Sequence, residues 1–392
     1  MQVYLDNAAT TRVDDNVVKA MLPYYTEKYG NASSPHSLGQ EAKQALEESR
    51  AAIANAIGAS SDEIVFTSGG TESNNLAIKG IAFSAKKEKR GNHIITTKIE
   101  HDCVLNSCKW LETQGFRITY LDVDSEGFVD LKKLESAITK NTILISVIHG
   151  NNEIGTVQDL KAIGEICRKH KVLFHTDACQ SFTKTELNAK KMNIDLVTLN
   201  AHKIHGPKGV GALYIRKGTP ITPLEHGGGH EFKLRSGTEN IPGIVGFAAS
   251  VKVSKKANIA ALCKLRNYMI DRILKEIPDT IINGPANDKD GKKRLYNNVN
   301  FCFKYVESES IGAYLDSYGI SSSAGSACSS HSLEPSHVLM AIGRDAVLAN
   351  GSLRLTLSKY TTKQEIDYAV EKLKKTIGTL RKMSPLFSIT KK

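Results

Sequence analysis

Phe174-His175-Thr176-Asp177-Ala178-Cys179-Gln180 and Thr198-Leu199-Asn200-Ala201-His202-Lys203 each continue an apolar run into polar and ionisable residues. Residues 171–174 and the apolar set Ile194, Leu196, Val197 and Leu199 read as two short interior strands. Such strands leave Asp177 and Lys203 at their carboxyl ends, where open α/β sheets bind ligands. Outward from this pair, strands expected over 93–97, 116–123 and 142–148 alternate with helices over 102–113, 130–138 and 159–170. That alternation predicts a mostly parallel sheet covered by helices.

An acid and an amine buried together at such an edge suit pyridoxal 5′-phosphate, which needs an amine for its Schiff base and a carboxylate facing its pyridinium nitrogen. Lys203, between His202 and Lys208, is the candidate amine, because a lysine kept from water near other cations is more readily neutral and nucleophilic. Asp177 is the candidate partner of the ring nitrogen, and Gln180 of the ring's phenolic oxygen. The same two residues also read as an ordinary Asp–Lys salt bridge, and residue types alone leave both readings open.

With 392 residues, 41% of them hydrophobic, the chain is expected to form two domains, or one large domain with a smaller one attached. The net charge of +11 is scattered along the chain and reads as a solvated basic surface, so no direct nucleic-acid partner is expected. The seven cysteines form neither CxxC pairs nor a regular disulfide framework, which fits a reducing compartment. No run of eighteen apolar residues occurs, and the start passes directly into Val3-Tyr4-Leu5-Asp6. A cytoplasmic protein without membrane attachment is expected.

The first segment, 3–11, reads as extended, followed by helices over 14–25 and 37–58. A strand over 63–67 runs into Ser68-Gly69-Gly70-Thr71-Glu72-Ser73 and then a helix. This junction offers free N–H groups and a positive helix end to an anion, with Gly70 and Thr71 as a phosphate cradle; a merely capped helix start is the alternative. His101, just past a strand end, could stack on a flat cofactor or simply mark a helix entry. Asn151-Asn152-Glu153-Ile154-Gly155 breaks the alternation with polar residues where ligand contacts are expected. His226, His230 and Glu231 lie on a triple-glycine loop that would not fix their spacing, so no resident metal is expected.

A long helix over 244–277 is expected to lead into a smaller α+β unit. Its strands are expected over 280–282, 298–303 and 352–357, and its helices over 310–317, 335–342 and 363–377, with a loose tail after Pro385. Within it, Cys328 sits among small residues, Ser321 to Ser330 (SSSAGSACSS), as a thiol on a mobile loop or an idle surface cysteine. Arg354, in an otherwise apolar strand, has the fork that suits an amino-acid carboxylate; a structural ion pair is the alternative.

These segments together, YLDNAATT, TSGGTESNNLAIKG, NNEIG, TDACQS, NAHKIHGPKGVGALY, HGGGHE, RSGTENIP and SAGSACSSHSLEPSHVLMAIG, resemble the cysteine desulfurases of the NifS/IscS type over nearly the whole chain. The resemblance implies an α/β, fold-type I pyridoxal-phosphate transferase. Residues 13–258 would form the large domain with a mostly parallel central sheet, and 1–12 with 259–392 a smaller α+β domain carrying the cysteine loop. It implies a homodimer in which Lys203, Asp177, Gln180, His101 and Asn152 surround the cofactor ring. Gly70, Thr71, Asn200 and His202 fall at the phosphate positions, with Thr238 reaching across from the other subunit. Arg354 would bind the substrate carboxylate, and Cys328 would take the sulfur of L-cysteine as a persulfide, leaving alanine.

The longer form of the cysteine loop resembles the subgroup that feeds iron–sulfur assembly. This implies an iron–sulfur scaffold or another sulfur acceptor as partner, with Cys328 at most a transient cluster ligand there. Two positions depart from the family pattern. Asn200 stands where a hydroxyl residue is usual, which should alter cofactor affinity rather than abolish it, and Arg12 replaces a proline in a turn. A selenocysteine lyase, a sulfur donor for tRNA thiolation, a class V aminotransferase and a cofactor-free binding scaffold are the rival readings.

Overall fold

A computed structural model describes residues 1–255, 257–286, 288, 291–323, 335–385 and 387. Twelve strands are present among these residues: β1 (Val3–Tyr4), β2 (Ile64–Thr67), β3 (His93–Thr97), β4 (Arg117–Leu121), β5 (Thr142–Ser146), β6 (Leu173–Asp177), β7 (Leu196–Asn200), β8 (Gly211–Ile215), β9 (Thr280–Ile282), β10 (Asn298–Phe303), β11 (Ile320–Ser321) and β12 (Ser352–Thr356). Seven of them form one sheet in the order β2-β8-β7-β6-β5-β3-β4.

Only β8 runs against its neighbours; β3 to β7 pair in parallel. The connections explain the difference. Helices such as Gly70–Lys87, Asp102–Thr113 and Leu160–His170 return the chain between parallel strands. No helix separates β7 from β8, so that pair closes as an antiparallel hairpin. The carboxyl ends of β2, β3, β5, β6 and β7 therefore share one edge.

Both faces of the sheet are buried. Along β7 and β8, Val197 and Tyr214 enter one apolar core, while Leu196 and Leu213 enter the core on the opposite face, as the two-residue strand period requires. Each of these large apolar side chains contributes about 1.5–3 kcal/mol by leaving water, which is why continuous apolar runs marked the strands. A third core joins Val3 and Leu5 to Val299, Phe301, Leu355 and the helix Lys363–Met383. It covers the antiparallel sheet β12-β10-β9, and β1 pairs alongside with β11.

Local chemistry sets the helix limits. The helix expected over 37–58 is Ser37–Ala56, and Gly58 follows it at φ +68°, where an added Cβ would meet the Asn188 side chain at 2.4 Å. The helix expected over 14–25 divides into Asp15–Met21 and Pro23–Thr26, with Pro23 opening the second piece. The single helix expected over 244–277 is corrected to two, Ile241–Ser254 and Ile259–Glu276. Asn258 restarts the second by accepting the N–H of Ala261 at 3.0 Å. The extended segment expected over 3–11 is a strand only at Val3–Tyr4, after which Ala9 N–H bonds back to Asp6 C=O in a turn. The tail beyond Pro385 lies outside the described residues, Phe387 excepted. No described helix is long and apolar enough to cross a membrane.

Candidate active site

The shared strand edge opens into a cavity of about 320 Å³. Gly70, Thr71, His101, Asn152, Asp177, Gln180, Asn200, His202, Lys203 and Arg354 all line it. Parallel pairing of β6 with β7 sets Asp177 against Thr198, so the acid and the turn carrying Lys203 come from adjacent strands. Two expected residues are elsewhere. Thr238 is exposed, on the loop before the helix Ile241–Ser254, and does not line this cavity. Cys328 lies outside the described residues.

Asp177, the last residue of β6, is only 4% exposed. Its Oδ2 accepts the Asn74 amide at 2.7 Å and its Oδ1 the Cys179 N–H at 2.8 Å. Burial alone opposes its charge, but the neighbouring His101 and these two donors win and hold the carboxyl below its ordinary range. A buried anion fixed in this way is matched to a cationic ring nitrogen. His101 precedes the helix Asp102–Thr113, and its Nδ1 accepts the Cys103 N–H at 3.2 Å. Burial and the Lys203 charge push the His101 ring toward its neutral form. His202 is held down to about 4 by burial, with Lys203, Lys208 and Lys184 adding to the effect. A neutral imidazole can both donate and accept.

At the other wall the helix Gly70–Lys87 begins without a side-chain cap, which leaves its first N–H groups available to an anion. Only glycine fits at 70: an added Cβ would stand 2.5 Å from Cys179 Sγ and 3.6 Å from Asn200 Nδ2. Asn200 is buried, and its Oδ1 has no hydrogen-bond partner among the described residues. Across the cavity Arg354, 2% exposed, donates to Asn152 C=O at 3.0 Å and to Asp6 Oδ1 at 3.1 Å. Its Nε has no partner among the described residues. An uncapped helix end for a phosphate, a fixed carboxylate for a ring nitrogen and an adjacent lysine fit pyridoxal 5′-phosphate, and the open guanidinium edge fits a substrate carboxylate.

Gln180 has a bond the sequence did not foretell: its Nε2 donates to Ala8 C=O at 2.8 Å, tying the N-terminal segment to the cavity wall. The sequence reading also missed Asn74, Cys103 and Cys179, which all line the cavity. Asn74 was findable. It follows Thr71 by three residues and Gly70 by four, so one helical turn places all three on the same face. Burial and the Asp177 charge push the Cys103 thiol up to about 12, which favours the thiol over the nucleophilic thiolate. Among the described residues no group of His, Cys, Asp and Glu could hold a metal ion.

The class-V aminotransferase family matches residues 3–369. The chain is 51% identical to "Cysteine desulfurase IscS" of Dictyoglomus turgidum, over 98% of this chain and 96% of that one. It is 50% identical to the protein of the same name from Methanosarcina thermophila, over 98% and 94%. Among solved structures, "NIFS-LIKE PROTEIN" superposes with a TM-score of 0.89 at 39% identity, covering 97% of this chain and all of that one. "SspA in complex with cysteine" superposes at 0.81 with 38% identity, covering 92% and 100%.

Proposed function

We infer, on the premise that the chain belongs to the class-V aminotransferase family and within it to the cysteine desulfurases, that it removes sulfur from L-cysteine with pyridoxal 5′-phosphate as cofactor. The observation that carries this reading is that Asp177, Lys203 and Arg354 line one cavity. When bound, the cofactor supplies an electron-withdrawing ring that draws charge from the substrate's α carbon.

Lys203 would hold the cofactor and supply the amine that takes and returns the α proton. Asp177 keeps the ring nitrogen protonated, Gln180 and Asn152 bond to the ring and its substrate, and His101 covers the ring face. Gly70, Thr71, Asn200 and His202, with Thr238 of the partner subunit, hold the phosphate, and Arg354 clamps the substrate carboxylate. The Cys328 thiolate attacks the substrate sulfur. A sulfur–sulfur bond forms, the carbon–sulfur bond breaks, and the electron pair stays on carbon to be protonated. The products are alanine and a persulfide on Cys328.

The working unit is a cytoplasmic homodimer that passes its sulfur to an iron–sulfur scaffold. The separate apolar cores around the parallel and the antiparallel sheets support a division into 13–258 and 1–12 with 259–392.

Incubation with L-cysteine should yield alanine and add the mass of one sulfur atom to the Cys328 peptide. Cys328→Ser should keep the visible absorbance of the cofactor and form no persulfide. Sulfide release at the wild-type rate in that variant would overturn the assignment.

A further inference from the structure

Behind Lys203 lies a second, smaller cavity of about 10 Å³, about what one water molecule needs. Lys203 lines both cavities and is the wall between them. The rear cavity is built where the cofactor edge meets the antiparallel sheet: Thr183 and Lys184 come from the turn after β6, and Tyr296 and Asn297 from the approach to β10.

Its lining is polar and incompletely bonded. Lys184 is 6% exposed, and its Nζ has no hydrogen-bond partner among the described residues. The same holds for Thr183 Oγ1 and Asn297 Oδ1. Three such groups around one small space are each destabilising if left dry. A single water has the capacity to serve all three, accepting from an amine, donating to an amide oxygen and bonding to a hydroxyl. The backbone is bent to build this place: Thr183 and His205, both on its wall, have φ of +62° and +65°. A β-branched residue adopts that conformation only when its surroundings impose it.

Among the described residues no carboxylate lines this cavity. The ionisable groups nearest to Lys184 are Lys203, Cys179, His202, His205 and Tyr296. Burial holds both imidazoles near 4, and it pushes the Cys179 thiol and the Tyr296 phenol upward. Lys184 is therefore the member of this cluster set to exchange protons near neutral pH.

We propose that Lys184 and one internal water form a proton station behind Lys203, exchanging a proton with it as Lys203 alternates between holding the cofactor and serving the substrate. A proton leaves Lys203 Nζ for the water, which passes one on to Lys184 Nζ; the return transfer restores both, with no net change in charge. Burial, reinforced by the Lys203 charge, brings Lys184 to about 7, where an amine gains and loses protons readily. The inference rests on Lys203 being the residue that holds the cofactor.

The test uses holoenzyme carrying Lys184→Met or Lys184→Arg, with borohydride reduction and peptide mapping of each. Solvent deuterium incorporation at the α carbon of L-alanine should slow about tenfold in both variants, the equivalent of one unit of proton affinity, because neither side chain accepts a proton. The pH midpoint of the visible cofactor band should rise by about one unit in Lys184→Met, which lacks the like charge, and stay or fall in Lys184→Arg, which keeps it. A side chain that only filled space would not separate the two variants in this way. Wild-type exchange rates with the label on Lys203 would overturn the station while leaving the cofactor reading intact. A label on another lysine would overturn both. Should the methionine variant fail to fold, the exchange rate and band midpoint of the arginine variant decide.

Discussion

Asp177 and Arg354 line one cavity and are buried alike, at 4% and 2% exposure, yet the chain treats them differently. Both oxygens of Asp177 are occupied, by the Asn74 amide and the Cys179 N–H. Arg354 spends two nitrogens on Asn152 and Asp6 and keeps Nε without a partner among the described residues. The first arrangement fixes a charge before anything binds, which is how a site lowers a barrier without reorganising during the reaction. The second leaves Nε as donor capacity that the described residues do not use, which suits a carboxylate ligand. One end of the cavity is finished, and the other is completed by what enters it.

The sharpest way to break this comparison is Asp177→Asn, which keeps the shape and removes the charge. We expect kcat for alanine formation to fall by about 10²–10³-fold, the scale of losing a preorganised electrostatic group. Turnover within threefold of wild type at full cofactor occupancy would mean that the fixed carboxylate is not what drives the chemistry. Arg354→Lys tests the open end. A lysine keeps the charge but not the fork, so KM for L-cysteine should rise about tenfold to a hundredfold, the worth of one charge-assisted hydrogen bond, with kcat changed much less. A loss confined to kcat would place Arg354 with the chemistry instead of with binding.

The smallest effect is one of stability, at Glu153, beside Arg354. Burial raises its carboxyl to about 7, although the Ser336 hydroxyl, 2.5 Å away, and the Arg354 charge oppose the shift. The folded chain thus keeps this proton to a higher pH than the unfolded chain, whose carboxyl titrates near its ordinary value of 4.5. The resulting stabilisation is complete below about 4.5 and is lost as pH rises through about 7. Glu153→Gln should remove that dependence, so Tm of the variant minus Tm of wild type should climb by a few degrees between those limits. A flat difference curve would show that Glu153 does not hold the proton.

Much of this site was legible before the fold was known, for reasons particular to each residue. Asp177 and Lys203 were found because interior strands are unbroken apolar runs, and the first polar residues past such a run lie at the sheet edge. Gly70 and Thr71 were found because glycine before a helix marks a close approach. Lys184 was not found: in Ser181-Phe182-Thr183-Lys184-Thr185-Glu186 it reads as a surface lysine. It is buried, and the cavity it lines is shared with residues more than a hundred positions away, among them Tyr296 and Asn297. The division into Ile241–Ser254 and Ile259–Glu276 was missed because apolar residues on both sides keep the helical spacing.

The amino-acid order alone determined the strands, the residue types at their ends and the kind of chemistry those types can carry, since each depends on neighbours a few positions apart. Only the tertiary structure decided which polar atoms are satisfied and which stay open: the Asn74 bond that fixes Asp177, the open edge of Arg354 and the water-sized space behind Lys203. Those depend on groups far apart in the chain meeting at hydrogen-bond distance, and no local pattern encodes a distance of that kind.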